Sequence, residues 1–525
     1  MASSDQAVVF GSLVLDHSVD ESRPYQTAKL FGRERAIETI GTRIQVKPNG
    51  FLSVPYKVKN EVKRLVFHLP AGSFSPGAKI TATGMDLVAW GQDEKFDDPT
   101  SNPRSYLSQV EFPTEVPGGG GTNVGYVLYN IFGGMLRRYI ATYSKGQDSV
   151  IDDALAAVWG GKENLKILKE VPNEAANVVM EFDVSLGDRL IVRLLQHRDV
   201  GVTPVRISEN DICMVNTCYA WQHAIHSLTE ALVSRCAVVS CTEPLCDKTR
   251  MPAQLSTTLT DYVNDRLQLK GDDLVGPINS VSSFIRKGVL PRARGAVYLF
   301  NESEFDNFFD ESDQVANITA LGETEADVLI FPGAIFQGFQ IFRRIEQAKT
   351  GSTVIVTCGK FGAFVLDPDN GVHYCAVLTY KEAGRTERQR NAIGDLFAAV
   401  VFGLVYGGVK GKVAEITSMN DNTTTVASSW VPNMLVCASA AADAGVYEGF
   451  FHVTPARVAS YLPFKLKHYY YLGKLEELPG MKELRMSFGL FLDKELAKIQ
   501  RGRLLPQNLT DFRRLVDDPN ILSLS

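Results

Sequence analysis

The sequence lacks an excess of positive charge: 54 lysines and arginines stand against 60 aspartates and glutamates, a net charge of -6. That removes the electrostatic reason to expect a nucleic-acid or anionic-membrane partner. Long apolar runs are also missing, since the longest, around Leu396 to Tyr406, falls well short of the roughly 20 residues that span a bilayer. The N-terminal stretch MASSDQAVVFGSLVLD carries acidic residues and no basic region ahead of a long apolar run, so no secretory signal is read and a cytoplasmic protein is expected. Metal-ligand spacing is absent too. Cys236, Cys241 and Cys246 are five residues apart, with no acidic or histidine partner at ligand spacing, and the eight histidines form no H-E-x-x-H arrangement. Reduced, partly buried thiols are expected, and no protein-bound transition metal. There is no internal repeat and no low-complexity tract.

What is present is an ordinary globular composition, 45% hydrophobic and 22% charged over 525 residues. A chain of this length holds about two to four average domains, or one α/β core with insertions. Residues 7–16, AVVFGSLVLD, read as a buried parallel strand that delivers Asp16 at its C-terminal end, the edge where ligands of open α/β sheets collect. The next hundred residues change character. Short alternating stretches such as TRIQV, RLVFHL and KITATG lie between Pro, Gly and Asp clusters, which is hairpin material. After PGGGGTNVGYVLYNIFGGMLRRY (117–139) an α/β rhythm resumes, and ANVVMEFDVSLGDRLIVRLL (176–195) gives two further strands suited to pair with the earlier hairpins. Later segments (295–309, 326–333 and 352–367) each join an apolar strand to polar or Gly-rich residues, as parallel sheets with functional C-terminal edges do. The stretch from about 464 reads as helices and loops added to the core.

RNAIGDLFAAVVFG, residues 390–403, places Gly394 and Asp395 in the first turn of an apolar helix, where unpaired N–H groups and the dipole make an anion site. Asp395 is then either a base beside an incoming phosphoryl group or simply a cap. Asn301 and Glu304, in NESE, fit either a capping box or a water-mediated hold on Mg²⁺. VTCGKFGA reads either as a Gly-rich approach to a nucleotide or as a tight turn between strands.

Taken in order, the strand ending in Asp16, GGGGTN, NESE, VTCGKFGA and AIGD resemble the motif set of the ribokinase, or PfkB, family of carbohydrate and nucleoside kinases, over residues 7–450. The resemblance implies an α/β fold: a ribokinase-like three-layer sandwich with a mainly parallel central sheet and a β-sheet lid. The core would comprise 1–16, 117–175 and 201–463, the β-rich lid 17–116 and 176–200, and a C-terminal helical extension 464–525. It implies Asp395 as catalytic base, with the backbone of Ala392, Ile393 and Gly394 as anion hole. Here the family's Gly-Ala-Gly-Asp reads Ala-Ile-Gly-Asp, which its backbone tolerates only where the dihedrals suit side chains. Thr357, Gly359 and Gly362 would meet nucleotide phosphates, Asn433 the adenine, and Asn301 and Glu304 Mg²⁺ through water. The lysine the family often carries two positions before that asparagine is Leu299.

PGGGGTNVG resembles the sugar-binding turn of the minor 6-phosphofructokinases, which assigns Gly119, Gly120, Asn123 and Asp16 to sugar hydroxyls. Arg189 and Arg193 would reach a substrate phosphate or be exposed lid charges. The long first lid segment would carry a substrate-shaping hairpin or an interface for a homodimer. The expectation is therefore a Mg²⁺-dependent kinase using ATP as co-substrate on a sugar or sugar phosphate. The alternatives are a catalytically silent binding protein of the same fold, a nucleoside kinase, or an ADP-dependent sugar kinase.

Overall fold

The computed structural model describes the strands and helices between Gln6 and Ser240 and the stretches 250–283, 296–309, 331–344, 351–359, 362–377, 392–417 and 431–478. Fourteen strands make up the two largest sheets. In the first half of the chain they are β1 (Gln6–Gly11), β2 (Val14–Val19), β3 (Lys79–Thr83), β4 (Val116–Gly118), β5 (Leu136–Ile140), β6 (Asn177–Asp183) and β7 (Arg189–Leu195). In the second they are β8 (Asp211–Asn216), β9 (Arg235–Ser240), β10 (Val297–Asn301), β11 (Thr353–Thr357), β12 (Ala363–Leu366), β13 (Gly371–Cys375) and β14 (Tyr469–Lys474). The principal helices are α1 (Gly120–Asn130), α2 (Ala253–Arg266), α3 (Glu302–Phe308), α4 (Phe331–Phe342), α5 (Ile393–Thr417), α6 (Val431–Glu448) and α7 (Pro455–Lys467).

The described residues fall into two compact units, one within Met1–Gly11, Asn123–Ile140 and Thr203–Ser525, the other within Ser12–Thr122 and Ala141–Val202. The first is built on a nine-stranded sheet in the order β5-β1-β8-β9-β10-β11-β12-β13-β14. The six strands from β5 to β11 run parallel, and β12, β13 and β14 finish the sheet antiparallel. The α/β class and the mainly parallel central sheet expected from the sequence are both present. Between their terminal residues the described parts of the parallel strands are buried and apolar, as strands covered on both faces require. Because they are parallel, their C-terminal residues share one edge: Asn216, Ser240, Asn301 and Thr357 end β8 to β11. Four polar residues thus close four apolar strands.

Helix α5 is buried on every face from Leu396 to Tyr406, which is why its apolar run shows no polar stripe. It packs on α6 and β9, while α6 also covers β12 and β13. Phe300, Phe305, Phe308 and Phe342 interlock β10, α3 and α4 through edge and tilted ring contacts. At the sheet's antiparallel end, buried His373 lies between Asp367 (3.0 Å) and the Tyr469 hydroxyl (2.7 Å), joining β13 to β14. Buried Lys465 of α7 pairs with Asp443 of α6 and donates to the Ala376 carbonyl at 2.6 Å. Among the described residues no helix is long and apolar enough to cross a membrane.

The second unit contains a five-stranded sheet, β4-β2-β6-β7-β3, and a four-stranded meander of Gln45–Lys47, Phe51–Val58, Glu61–His68 and Leu87–Gly91. Strands β6 and β7 pair antiparallel, and β6 adds to β2 while β7 adds to β3, so the 176–195 segment joins the earlier β-region.

Two expectations need correction. The run 7–16 is not one strand: β1 ends at Gly11, and β2 belongs to the other sheet, paired on both sides by β4 and β6. Asp16 therefore sits mid-strand, opposite Val116 and beside Val179, not at the end of a core strand. Apolar Leu13 to Leu15 continue the pattern across the break, so periodicity does not mark it. The stretch after 464 is not only helix and loop, because Tyr469–Lys474 closes the central sheet along β13. Residues 326–330 of the 326–333 stretch lie outside the described residues, and Phe331 onward begins α4.

Candidate functional site

Helix α5 opens at Ile393, and the Ala392 carbonyl accepts its first bond, from the Leu396 N–H at 2.9 Å. Helix geometry leaves the N–H groups of Ile393, Gly394 and Asp395 without an acceptor inside the helix, at its positive end. These amides lie within the 392–395 backbone expected as the anion hole, and Ala392 itself precedes the helix. Gly394 is exposed, and a Cβ built there would meet nothing within 4 Å. The first turn is open at Gly394, while Ile393 and Asp395 beside it are half-buried.

Ala392 has φ 59°, in the left-handed region that alanine avoids at a cost of roughly 1–2 kcal/mol. The resemblance puts a glycine at this position, and the conformation found here is one that glycine adopts freely. The second departure is relieved by packing. A Cβ on Gly445 of α6 would fall 2.8 Å from Ile393 Cδ1 and 2.7 Å from Leu396 Cδ2, so that glycine makes room for both side chains.

Asp395 is the third residue of α5, and its carboxylate is held from two other elements. Asn123 Nδ2, in the first turn of α1, donates to Oδ2 at 2.8 Å, and Asn216 Nδ2, at the end of β8, donates to Oδ1 at 3.3 Å. Close approach makes this convergence possible. A Cβ on Gly403 would lie 2.4 Å from the Phe132 ring, so only glycine lets α5 come this near the chain that follows α1. Tyr126 of α1 adds a bond to the Phe451 carbonyl at 3.2 Å and ring contacts with Phe450 and Phe451, just after α6. Burial pushes the Tyr126 hydroxyl up from its ordinary pKa, so it stays a protonated donor.

Elsewhere along the strand ends, Asn301 and Glu304 form a complete capping box. Asn301 Oδ1 accepts from the Glu304 N–H at 2.8 Å, and Glu304 Oε2 accepts from the Asn301 N–H at 3.0 Å. Thr357, opposite Asn301 in register, donates to the Phe300 carbonyl at 3.3 Å. Gly359 and Gly362 make the turn of the β11–β12 hairpin, with Cys358 N–H bonded to the Gly362 carbonyl at 2.7 Å. Gly362 is obligatory there, since φ is 91° and a Cβ would lie 2.1 Å from the Cys375 carbonyl. Asn433 is in the first turn of α6, 6% exposed, and its Oδ1 finds no hydrogen-bond partner among the described residues.

Asp16 and Gly119 lie in the second unit, as does Gly120, the first residue of α1. Gly119 has φ 87°, the turn from β4 into α1. Arg189 and Arg193 are on β7, in register with Asp183 and Val179; their side chains lie outside the described residues, as do those of Cys236, Cys241 and Cys246. Among the described residues no three His, Cys, Asp or Glu side chains gather as metal ligands. A hydrated Mg²⁺ is bound by few carboxylates plus waters and phosphates; Asn301 and Glu304 are the strand-end pair that would hold its waters, and the capping box already fixes both side chains.

The structure thus brings together Asn123 and Asp395 of the expected residues, and adds Asn216. Its signal was available: DICMVN ends an apolar strand in asparagine, as VYLFN does at Asn301.

No protein-family model matches the chain, and no curated protein matches it. Solved structures do. The chain is similar to a ribokinase from Cryptococcus neoformans var. grubii in complex with ADP, with 12% identity, TM-score 0.42, and coverage of 87% of this chain and 99% of that one. It is similar to a probable sugar kinase from Rhizobium etli at 12% identity and TM-score 0.42, covering 84% and 93% of the two chains. Phosphofructokinase-2 from Escherichia coli, in complex with substrates and products, gives 10% identity and TM-score 0.39 over 88% and 99%.

Proposed function

We propose that the chain is a ribokinase-like carbohydrate kinase that transfers the γ-phosphoryl group of ATP to a hydroxyl of a sugar or sugar phosphate. The observation that carries this reading is the Asp395 carboxylate, set in the open first turn of a buried helix and held by two amide donors. Because both amides donate, the carboxylate is the acceptor of both bonds, the form a general base requires. In the proposed step Asp395 takes the proton of the attacking hydroxyl, the new O–P bond forms, and the bond to the leaving ADP oxygen breaks. The phosphoryl oxygens would face the first-turn amides of Ile393, Gly394 and Asp395, whose partial positive charge opposes theirs. Mg²⁺, when bound, would neutralise phosphate charge. Asn301 and Glu304 would hold its waters, the capping box having fixed both side chains beforehand.

The same reading gives Thr357, Gly359, Gly362 and Asn433 to the nucleotide, and Asp16, Gly119, Gly120 and Asn123 to the acceptor. Asn433 supports it with its own chemistry, since a buried carbonyl oxygen that finds no donor among the described residues matches the exocyclic amine of adenine.

A second reading, a silent binding protein of the same fold, is favoured by one observation: Ala392 holds a left-handed backbone where glycine would be free of strain. A coupled turnover screen over sugars and sugar phosphates, with ATP or ADP and Mg²⁺, separates the two. Wild-type turnover that Asp395→Asn loses while still binding nucleotide is the expected result. Nucleotide binding that is weak or absent, with no turnover of any acceptor, would sink the kinase reading and leave the binding protein.

A further inference from the structure

We infer that Asn216 is a positioning residue, placed at the end of β8 to aim the Asp395 carboxylate; the inference rests on the reading of Asp395 as the base. Asn216 is fully buried, and its strand is otherwise apolar from Ile212 to Val215. Its Nδ2 donates to Asp395 Oδ1 at 3.3 Å, while its own Oδ1 is buried and finds no hydrogen-bond partner among the described residues. A buried carbonyl left unpaired is unfavourable, and folding alone would be better served by valine or leucine there. Rotating the amide does not help, because Oδ1 would then face a carboxylate oxygen. The residue type is explained by the one donor it presents to Asp395.

The two amides also divide the task. Asn123 rides on α1, at the end of a helix that begins in a glycine turn, whereas Asn216 is fixed by a central strand paired on both sides. The strand supplies the rigid reference, and α1 supplies the second bond. With both in place, the carboxylate plane is defined by three elements of one unit. A general base has to meet its proton within hydrogen-bond reach, and small misplacements are expensive in rate.

The test is a double-mutant cycle on turnover, using whichever acceptor the wild type phosphorylates with ATP and Mg²⁺. Asn216→Val is expected to lower kcat roughly ten- to hundredfold, the scale of a misaimed catalytic group. The acceptor KM should stay within about twofold and the melting temperature should not fall, since the orphan carbonyl has gone. In the Asp395→Asn background the same substitution should add no further loss, because Asn216 acts only through that carboxylate. Asn216→Asp keeps the side-chain volume and sets a carboxylate against a carboxylate. It decides the matter if the valine variant does not fold, and should lower kcat at least as far. Equal fractional losses in both backgrounds, a change confined to KM, or unaltered kcat in a folded variant would overturn the inference while the kinase reading stands. Absence of wild-type turnover would overturn both.

Discussion

Two helices start at strand-end or loop positions with an acidic residue in the first turn, and they use it in opposite ways. At α3 the side chains of Asn301 and Glu304 turn inward and satisfy the helix's own first N–H groups and the preceding backbone. At α5 the residue before the helix is Ala392, which has no polar side chain to offer, and Asp395 is turned toward Asn123 and Asn216. A self-capped helix end completes a fold. An end whose carboxylate is engaged from outside is, under the kinase reading, the one that would receive an anion. The motif spelled by the residues matters less than where the side-chain oxygens point.

The sharpest way to break this contrast is Asp395→Asn, which keeps the shape of the α5 mouth and removes its basicity. A fall in kcat of about 10²–10⁴-fold is expected, read in the coupled assay, with little change in melting temperature. Next in size is Gly403→Ala, which drives a methyl group into the Phe132 ring and forces α5 away from α1. Urea melts should show a loss of about 1–3 kcal/mol, and unchanged stability would mean that the close approach is not what sets the site. Asn301→Ala tests the self-capped start: it should cost about 1 kcal/mol in the same melts, the usual worth of an N-cap.

Ala392→Gly sharpens the comparison from the other side. It should stabilise by up to about 1 kcal/mol, since glycine occupies the left-handed region freely, less what glycine's added freedom in the unfolded chain returns. A destabilised variant would show that the alanine methyl group makes a contact worth more than the strain.

A pH-dependent effect concerns two buried thiols, one of them beside the α3 start. Burial, aided by the Glu302 carboxylate, pushes Cys358 well above the ordinary thiol value, and burial pushes Cys437 up to about 12. Unfolded thiols ionise near the ordinary value of 9.0, whereas the folded ones keep their protons. Their contribution is therefore complete below about pH 9 and is lost as pH rises toward 12, because the unfolded chain sheds protons first. Urea midpoints at about pH 7.5 and about pH 10.5, on either side of the unfolded value, should differ in that direction.

The sequence disclosed most where burial was uniform. The parallel strands ending in Asn301 and Thr357, and the helix from Leu396 to Tyr406, are apolar runs with polar ends, and no competing pattern explains them. It disclosed less where one run served two sheets, as between Phe10 and Leu15, since nothing in residue polarity distinguishes a continued strand from one that changes partner. Tyr469 to Lys474 escaped for a related reason: an edge strand is half exposed, and YYYLGK carries no apolar alternation strong enough to declare it. At the site, spacing located Asp395 but not its partner Asn216, because the bond between them spans 179 positions. Spacing alone left Asn301 and Glu304 divided between a cap and a metal role, and motif order favoured the metal role; the structure shows the cap, and turnover and binding experiments with Mg²⁺ decide the metal role.

The late arrival of β14 has a consequence for biogenesis. His373 and Tyr469 lie 96 positions apart, so during synthesis the backbone edge of β13 is made long before the strand that covers it. An uncovered strand edge is a template for pairing with another chain. The nascent protein therefore passes through an interval in which the β13 edge is open to pairing with another chain, and truncations ending before residue 469 would keep that edge uncovered.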